Sequence, residues 1–147
     1  MDGFIELFDA IGALARRRYQ TAERFFSELG LNHTEARLLT LLQQEGGAAA
    51  QDALSEMLYV DRTNAGRSLK RLEQDGYISK RRGEDDKRAN LVRITPKGRE
   101  AAAAVSRLKK KIARALFSGI SEEEARAATQ VLTKAGAEEK DDRTRGR

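Results

Sequence analysis

The sequence predicts a mainly α-helical chain with one small β-hairpin, an α+β arrangement with long helices at both ends. Three observations predict it. Apolar residues recur at three- and four-residue spacing through most of the 147 positions, the mark of helices with one buried stripe. Aromatics make up 5% and charged residues 35%, with one Pro and no Trp, which suits helices rich in Ala, Leu, Arg and Glu better than a β-sandwich. Only between Tyr77 and Thr95 does the pattern shorten to two strand-like runs around a charged loop. The length is that of one domain with a substantial core.

From Phe4 to about Leu29, apolar residues at Phe4, Leu7, Phe8, Ile11, Ala15, Ala22, Phe25, Phe26 and Leu29 predict one long amphipathic helix capped by Gly30. Its N-terminal Phe and Leu cluster cannot bury itself on a small helical core, so a partner surface is expected. Asn32 and Glu35 have capping-box spacing and open a second helix carrying Ala36, Leu38, Leu39, Leu41 and Leu42, ended by Gly46 and Gly47. A third, shorter helix spans about Ala50 to Leu58, packing through Ala53, Leu54, Met57 and Leu58.

A fourth helix is expected from Arg62 to Gln74, with Asp61 as N-cap. Ala65, Leu69 and Leu72 repeat at helical spacing and define its buried edge, so Thr63, Asn64, Arg67 and Arg71 point elsewhere. That outward face suits the major groove of DNA: Arg donates bidentately to guanine, Asn pairs with adenine, and Thr or Ser serves base edges or phosphates. Helix, short turn and helix with such residues near the second N-terminus has helix-turn-helix geometry. Gly66 sits inside this helix, where Gly costs about 1 kcal/mol relative to Ala. Close approach to DNA and close helix packing are both open as its reason.

After Asp75-Gly76, strands are expected over Tyr77–Arg82 and Asn90–Thr95, alternating Ile78 with Lys80 and Val92/Ile94 with Leu91/Arg93. The loop between them, GEDDKRA, is too charged for a core. Beside a recognition helix such a hairpin is a wing, able to place Arg88, with Lys87, in a narrow minor groove. Pro96 opens a helix to about Phe117 with a Val105, Leu108, Ile112 and Leu116 stripe. Ser121 and Glu124 form a second capping box opening a last helix, expected to end at Gly136. Residues 137–147 are expected to be a disordered polar tail.

Charge singles out the same segment. The chain carries 28 Lys/Arg against 23 Asp/Glu, net +5, and residues 61–99 hold 12 of those bases but only 6 of the acids. The remaining 16 bases face 17 acids, so the whole excess lies in this segment, as on a polyanion-binding face. No Cys is present and only one His, which excludes thiolate metal sites and cysteine redox sensing and leaves no expected metal or cofactor. There is no membrane span, the N-terminus is acidic where a signal peptide is basic, and a cytoplasmic location is expected. No nucleophile–base pair or phosphate loop is evident, so no enzyme is expected.

The run VDRTNAGRSLKRLEQDGYISKRRGEDDKRANLVRITPKG resembles the recognition helix and wing of MarR-family transcriptional regulators. The likeness includes Asp86-x-Arg88 followed by apolar-x-apolar-Thr95 and Lys97-Gly98. It extends by helix order over about residues 5–136, and only the central forty residues are motif-specific. The resemblance implies a winged helix-turn-helix region over 32–98, a dimerisation helix over 1–31 and dimerisation helices over 99–136. It implies a homodimer straddling a pseudo-palindromic operator with half-sites roughly 10 bp apart, acting as a repressor.

By position, Thr63, Asn64, Arg67 and Ser68 would face bases or nearby phosphates and Arg62 and Arg71 the backbone. Arg88 would enter the minor groove, oriented by Asp86. Many relatives release DNA when a small aromatic or phenolic anion binds, which makes His33, Arg16 and Arg17 candidate effector residues. From the residues alone, a surface or capping role for His33 is the favoured reading over effector binding. Two departures stand out: Tyr59 where the family often has Gly, and Ala65-Gly66 in place of a commoner β-branched pair. Nonspecific architectural DNA binding, or a winged helix used for protein contacts, would fit the same composition.

Overall fold

The computed structural model describes residues 2–58, 62–82 and 90–145, without the side chains of 62, 63 and 138–145. The elements run α1 (Gly3–Phe26), α2 (His33–Gln44), β1 (Ala48–Ala50), α3 (Gln51–Leu58), α4 (Arg62–Gln74), β2 (Ile78–Arg82), β3 (Asn90–Ile94), α5 (Pro96–Leu116) and α6 (Glu122–Arg145). The expected mainly α fold with a small β-wing is what is found. The chain divides near Ile112–Ala113 into two compact units.

Local chemistry accounts for the helix ends. Asp2 accepts from Phe4 N at 2.8 Å and starts α1. A 3₁₀ turn, Ser27–Leu29, follows α1, and Gly30 closes it at φ 72°. The Asn32–Glu35 capping box forms in both directions, with Glu35 N to Asn32 Oδ1 at 2.8 Å and Asn32 N to Glu35 Oε1 at 3.0 Å. Gly47 turns the chain out of α2 at φ 100° and its carbonyl accepts from Ile94 N.

The sheet is antiparallel in the order β1-β3-β2. Ala49 stands opposite Val92, and Ile78 opposite Ile94. Strand β1 was not expected: Ala has low strand propensity, and Ala48–Ala50 is extended because the free edge of β3 pairs with it. Within β2, Ile78 and Lys80 share a face, since side chains alternate with a period of two. Ser79 and Arg81 point the other way, correcting the expected alternation of Ile78 with Lys80.

Leu38, Leu39, Leu42, Leu54, Leu69, Leu72 and Val92 are fully buried, with Ala36 and Ala65 among them. Ile78, Ile94, Ala102, Val105, Leu108 and Ile112 extend this core along the hairpin and α5. Leu41, Ala53 and Met57 are only half-buried, at the margins of their helices.

Beyond Ile112, the second capping box is present: Glu124 N donates to Ser121 Oγ at 3.1 Å and Ser121 N to Glu124 Oε1 at 3.0 Å. The Ser121 backbone N–H, then its side chain, hold the Glu124 carboxyl below its ordinary pKa. Helix α6 runs from Glu122 to Arg145, past the end expected at Gly136. The AEEKDDR segment has no Pro and contains Ala, Glu, Lys and Arg, which are good helix formers, and one Gly costs a helix only about 1 kcal/mol.

Candidate nucleic-acid interface

Helix α4 is held from beneath by Ala65, Leu69 and Leu72, all at zero exposure. At 100° per residue this edge leaves Asn64, Arg67 and Arg71 exposed, while Ser68, on the flank, is half-buried. The backbone of Arg62 and Thr63 forms the first turn of α4; their side chains lie outside the described residues. So do Tyr59 and Asp61, and the wing tip with Asp86, Lys87 and Arg88.

Gly66 is half-buried, and among the described residues a Cβ there would meet only Gln51 Nε2, at an ordinary 3.7 Å. Close packing against the described residues therefore does not explain this glycine. Gln51 accepts from Asn90 Nδ2 at 3.4 Å, tying the start of α3 to the base of the wing.

The Thr95–Gly98 motif is a clamp on the turn leaving α4. Thr95 Oγ1 donates to Gly76 O at 2.7 Å and accepts from Gly98 N at 3.1 Å, and Thr95 N donates to Tyr77 O. Lys97 donates to Asp75 O and lies 4.5 Å from the centre of the Tyr77 ring. A Cβ at Gly98 would overlap the Tyr77 carbonyl oxygen and press on Ile94, so only Gly lets α5 start this close to β2. Sequence reasoning missed this packing role of Lys97-Gly98. It also passed over Arg81 and Arg93, exposed on the outward face of the hairpin, whose signal was the strand period.

Arg71 is paired. Its Nη1 lies 3.7 Å from Oε1 of the buried Glu35. His33 is half-buried, its ring 5.3 Å from that of Tyr19 and 6.2 Å from that of Phe26, and its backbone N–H donates to the Glu23 carboxylate. Burial, reinforced by Arg18 and Arg37, pushes the His33 pKa down against the opposing pull of Glu23. The arginines in electrostatic reach of His33 are thus Arg18 and Arg37; Arg16 and Arg17 are exposed on α1, with no described contact to it.

Two consecutive helices, the second basic outward and buried inward, with an antiparallel hairpin clamped to its exit, define a winged helix-turn-helix DNA-binding protein. A MarR family model matches residues 31–89. The chain is 32% identical over 111 residues to YdgJ, an uncharacterized HTH-type transcriptional regulator of Bacillus subtilis, spanning 76% of this chain and 67% of that protein. A mutant MarR from E. coli complexed with operator DNA aligns with a TM-score of 0.79 at 20% identity, over 92% of this chain and 99% of that one. The organohalide-sensing regulator RdhR, in its 2,4-dichlorophenol-bound form, aligns with a TM-score of 0.80 at 18% identity, over 92% and 80%. The chain belongs to the MarR family of transcriptional regulators, and it is not an enzyme.

Proposed function

We infer that the protein is a sequence-specific repressor that binds double-stranded DNA as a homodimer on a pseudo-palindromic operator. The observation that carries this reading is the division of α4: an apolar edge sealed into the core and an Asn64/Arg67 face left to solvent. Asn64, Arg67 and Thr63 read base edges in the major groove, and Ser68 takes a flanking base or phosphate. Arg62 meets the backbone, and Arg71, expected there too, is held by Glu35. Arg88, with Lys87 and oriented by Asp86, takes the minor groove.

The homodimer reading is supported by exposed apolar side chains. Phe4, Ile5 and Phe8 in α1 are 86%, 60% and 78% exposed, and in the segment after Ile112 Phe117, Ile120, Val131 and Leu132 are exposed too. On this reading residues 1–31 and 99–136 form the dimer and 32–98 the reader. Water-facing clusters of this size mark partner surfaces. A small aromatic or phenolic anion is the effector class, meeting His33 and releasing DNA, with Arg16 and Arg17 exposed on α1 as a separate anion-attracting pair; the dichlorophenol bound by RdhR is of that class. No helix among the described residues is long and apolar enough to cross a membrane, in keeping with a cytoplasmic regulator.

Selection of duplexes from random DNA, followed by gel shifts at fixed physiological salt, tests the reading. The expected result is a two-fold-symmetric site bound at least about a thousandfold tighter than random DNA. Equal affinity for all sequences would instead mark an architectural DNA binder.

A further inference from the structure

Glu35 is a charged side chain whose burial the DNA-reading face does not explain. It is fully buried, a placement carboxylates rarely take without partners. Its Oε1 caps Asn32 N, and its Oε2, equally buried, accepts no hydrogen bond among the described residues. A capping box does not require this burial: Ser121 and Glu124 make the same reciprocal bonds at the start of α6 with both residues exposed. What distinguishes the Asn32–Glu35 box is its neighbour, the Arg71 guanidinium 3.7 Å away on α4.

We propose that Glu35 is a positioning residue for DNA reading: its buried carboxylate tethers Arg71 and so sets how α4 presents Asn64 and Arg67. The proposal rests on the DNA-binding reading above. A buried carboxylate is drawn to the nearest cation, because the surroundings screen poorly, and that cation is Arg71, whose Nη1 lies 3.7 Å from the Oε1 that also caps Asn32 N. Arg71 keeps 59% of its side chain exposed while Glu35 keeps 1%, so the pair costs the desolvation of one partner rather than two. Taking Arg71 away leaves a buried charge uncompensated, and that penalty falls where α2 meets α4. The tether and the Leu69 and Leu72 anchors share the C-terminal half of α4, so the half bearing Asn64 and Arg67 is aimed from a fixed base. Glu23 accepts from His33 N, beside Asn32, so α1, α2 and α4 are pinned by successive polar links. Arg71 on this account holds the helix and neutralises no phosphate.

The test uses the full chain and two duplexes, one selected from random DNA by the wild-type protein and a scrambled control, titrated at several salt concentrations. Glu35→Gln keeps an acceptor for Asn32 N and removes the charge; Arg71→Ala removes the cation, and Arg71→Lys restores it. We expect Glu35→Gln and Arg71→Ala each to weaken the selected duplex about tenfold, with the double variant no weaker than either. Binding to the scrambled duplex and the salt slope stay unchanged, and Arg71→Lys recovers most of the loss. The proposal is overturned if Arg71→Ala weakens both duplexes alike and lowers the salt slope by about one, the signature of a phosphate contact. It is also overturned if Glu35→Gln binds as well as wild type. Should Glu35→Gln fail to fold in a thermal melt, Arg71→Ala against Arg71→Lys decides: an unchanged affinity in Arg71→Ala rejects the tether. Arg67→Ala separates the two readings. If it loses the selected duplex while Glu35→Gln and Arg71→Ala keep it, the DNA reading stands and the tether falls; if wild type selects no duplex, both fall.

Discussion

Helices α1 and α4 are both amphipathic and both carry arginines, yet they use their apolar residues in opposite ways. In α4, Ala65, Leu69 and Leu72 are wholly buried within their own chain, and the outward face is polar. Helix α1 buries only Ala22 and Phe26, near its C-terminal end, and leaves Phe4, Phe8 and Ile11 to water. The same helical period therefore encodes a finished surface in one and an unfinished surface in the other. What separates them is where the apolar stripe ends up. In α4 the stripe leaves the proposed DNA-reading face by exclusion; in α1 the stripe is itself the face that the proposed dimer would cover.

The largest expected effect probes the finished helix. Leu69→Ala removes a fully buried side chain and should cost roughly 2–5 kcal/mol, read as a lower denaturation midpoint than wild type at the same protein concentration. Phe8→Glu probes the unfinished one. It should leave the fold's far-UV circular dichroism intact but convert dimer to monomer in sedimentation. Binding to the selected duplex should then fall at least about a hundredfold, because two linked readers gain that much from shared binding. If Phe8→Glu instead unfolds the chain as Leu69→Ala does, α1 is core and the comparison breaks.

The two helices were not equally legible in the sequence, and the reason is physical. Capping boxes, helical stripes and the basic outward face of α4 are local, so Asn32–Glu35, Ser121–Glu124 and Ala65/Leu69/Leu72 could be read from spacing alone. Strand β1 could not: three alanines have no extended preference, and only the edge of β3 makes them a strand. The Glu35–Arg71 pair was hidden because capping already gave Glu35 a role and DNA gave Arg71 one. The electrostatic reach of Arg18 and Arg37 to His33 depends on how α1 packs on α2, which no spacing rule supplies. Gly98 was seen only as part of a motif; its reason, the Tyr77 carbonyl beneath it, belongs to tertiary packing.

Gly66 gives a smaller and sharper probe of α4. A Cβ there makes only an ordinary contact with Gln51 Nε2 among the described residues, so Gly66→Ala should stabilise the protein by up to about 1 kcal/mol through helix propensity. Thermal melts check the gain. If the glycine serves close approach to DNA, the same variant should bind the selected duplex more weakly; tighter binding would assign Gly66 no role in reading.

The smallest effect belongs to α1 and its junction with α2. His33 has its pKa pushed below 6.5 by burial, with Arg18 and Arg37 adding to it, so the folded protein binds this proton less readily than the unfolded chain. Stability must then be fully present above about pH 6.5 and decline as pH falls through the unfolded value toward the folded one. His33→Gln should flatten that decline below about pH 6.5 while losing some ring contact with Tyr19 and Phe26, so the variant is less stable at neutral pH but loses less on acidification. Urea midpoints across this range check it. Because His33 N is held by Glu23 beside the Asn32–Glu35 box, a parallel pH dependence in affinity for the selected duplex would extend the α1–α2 junction's influence to α4. A variant as pH-sensitive as wild type would place that titration elsewhere.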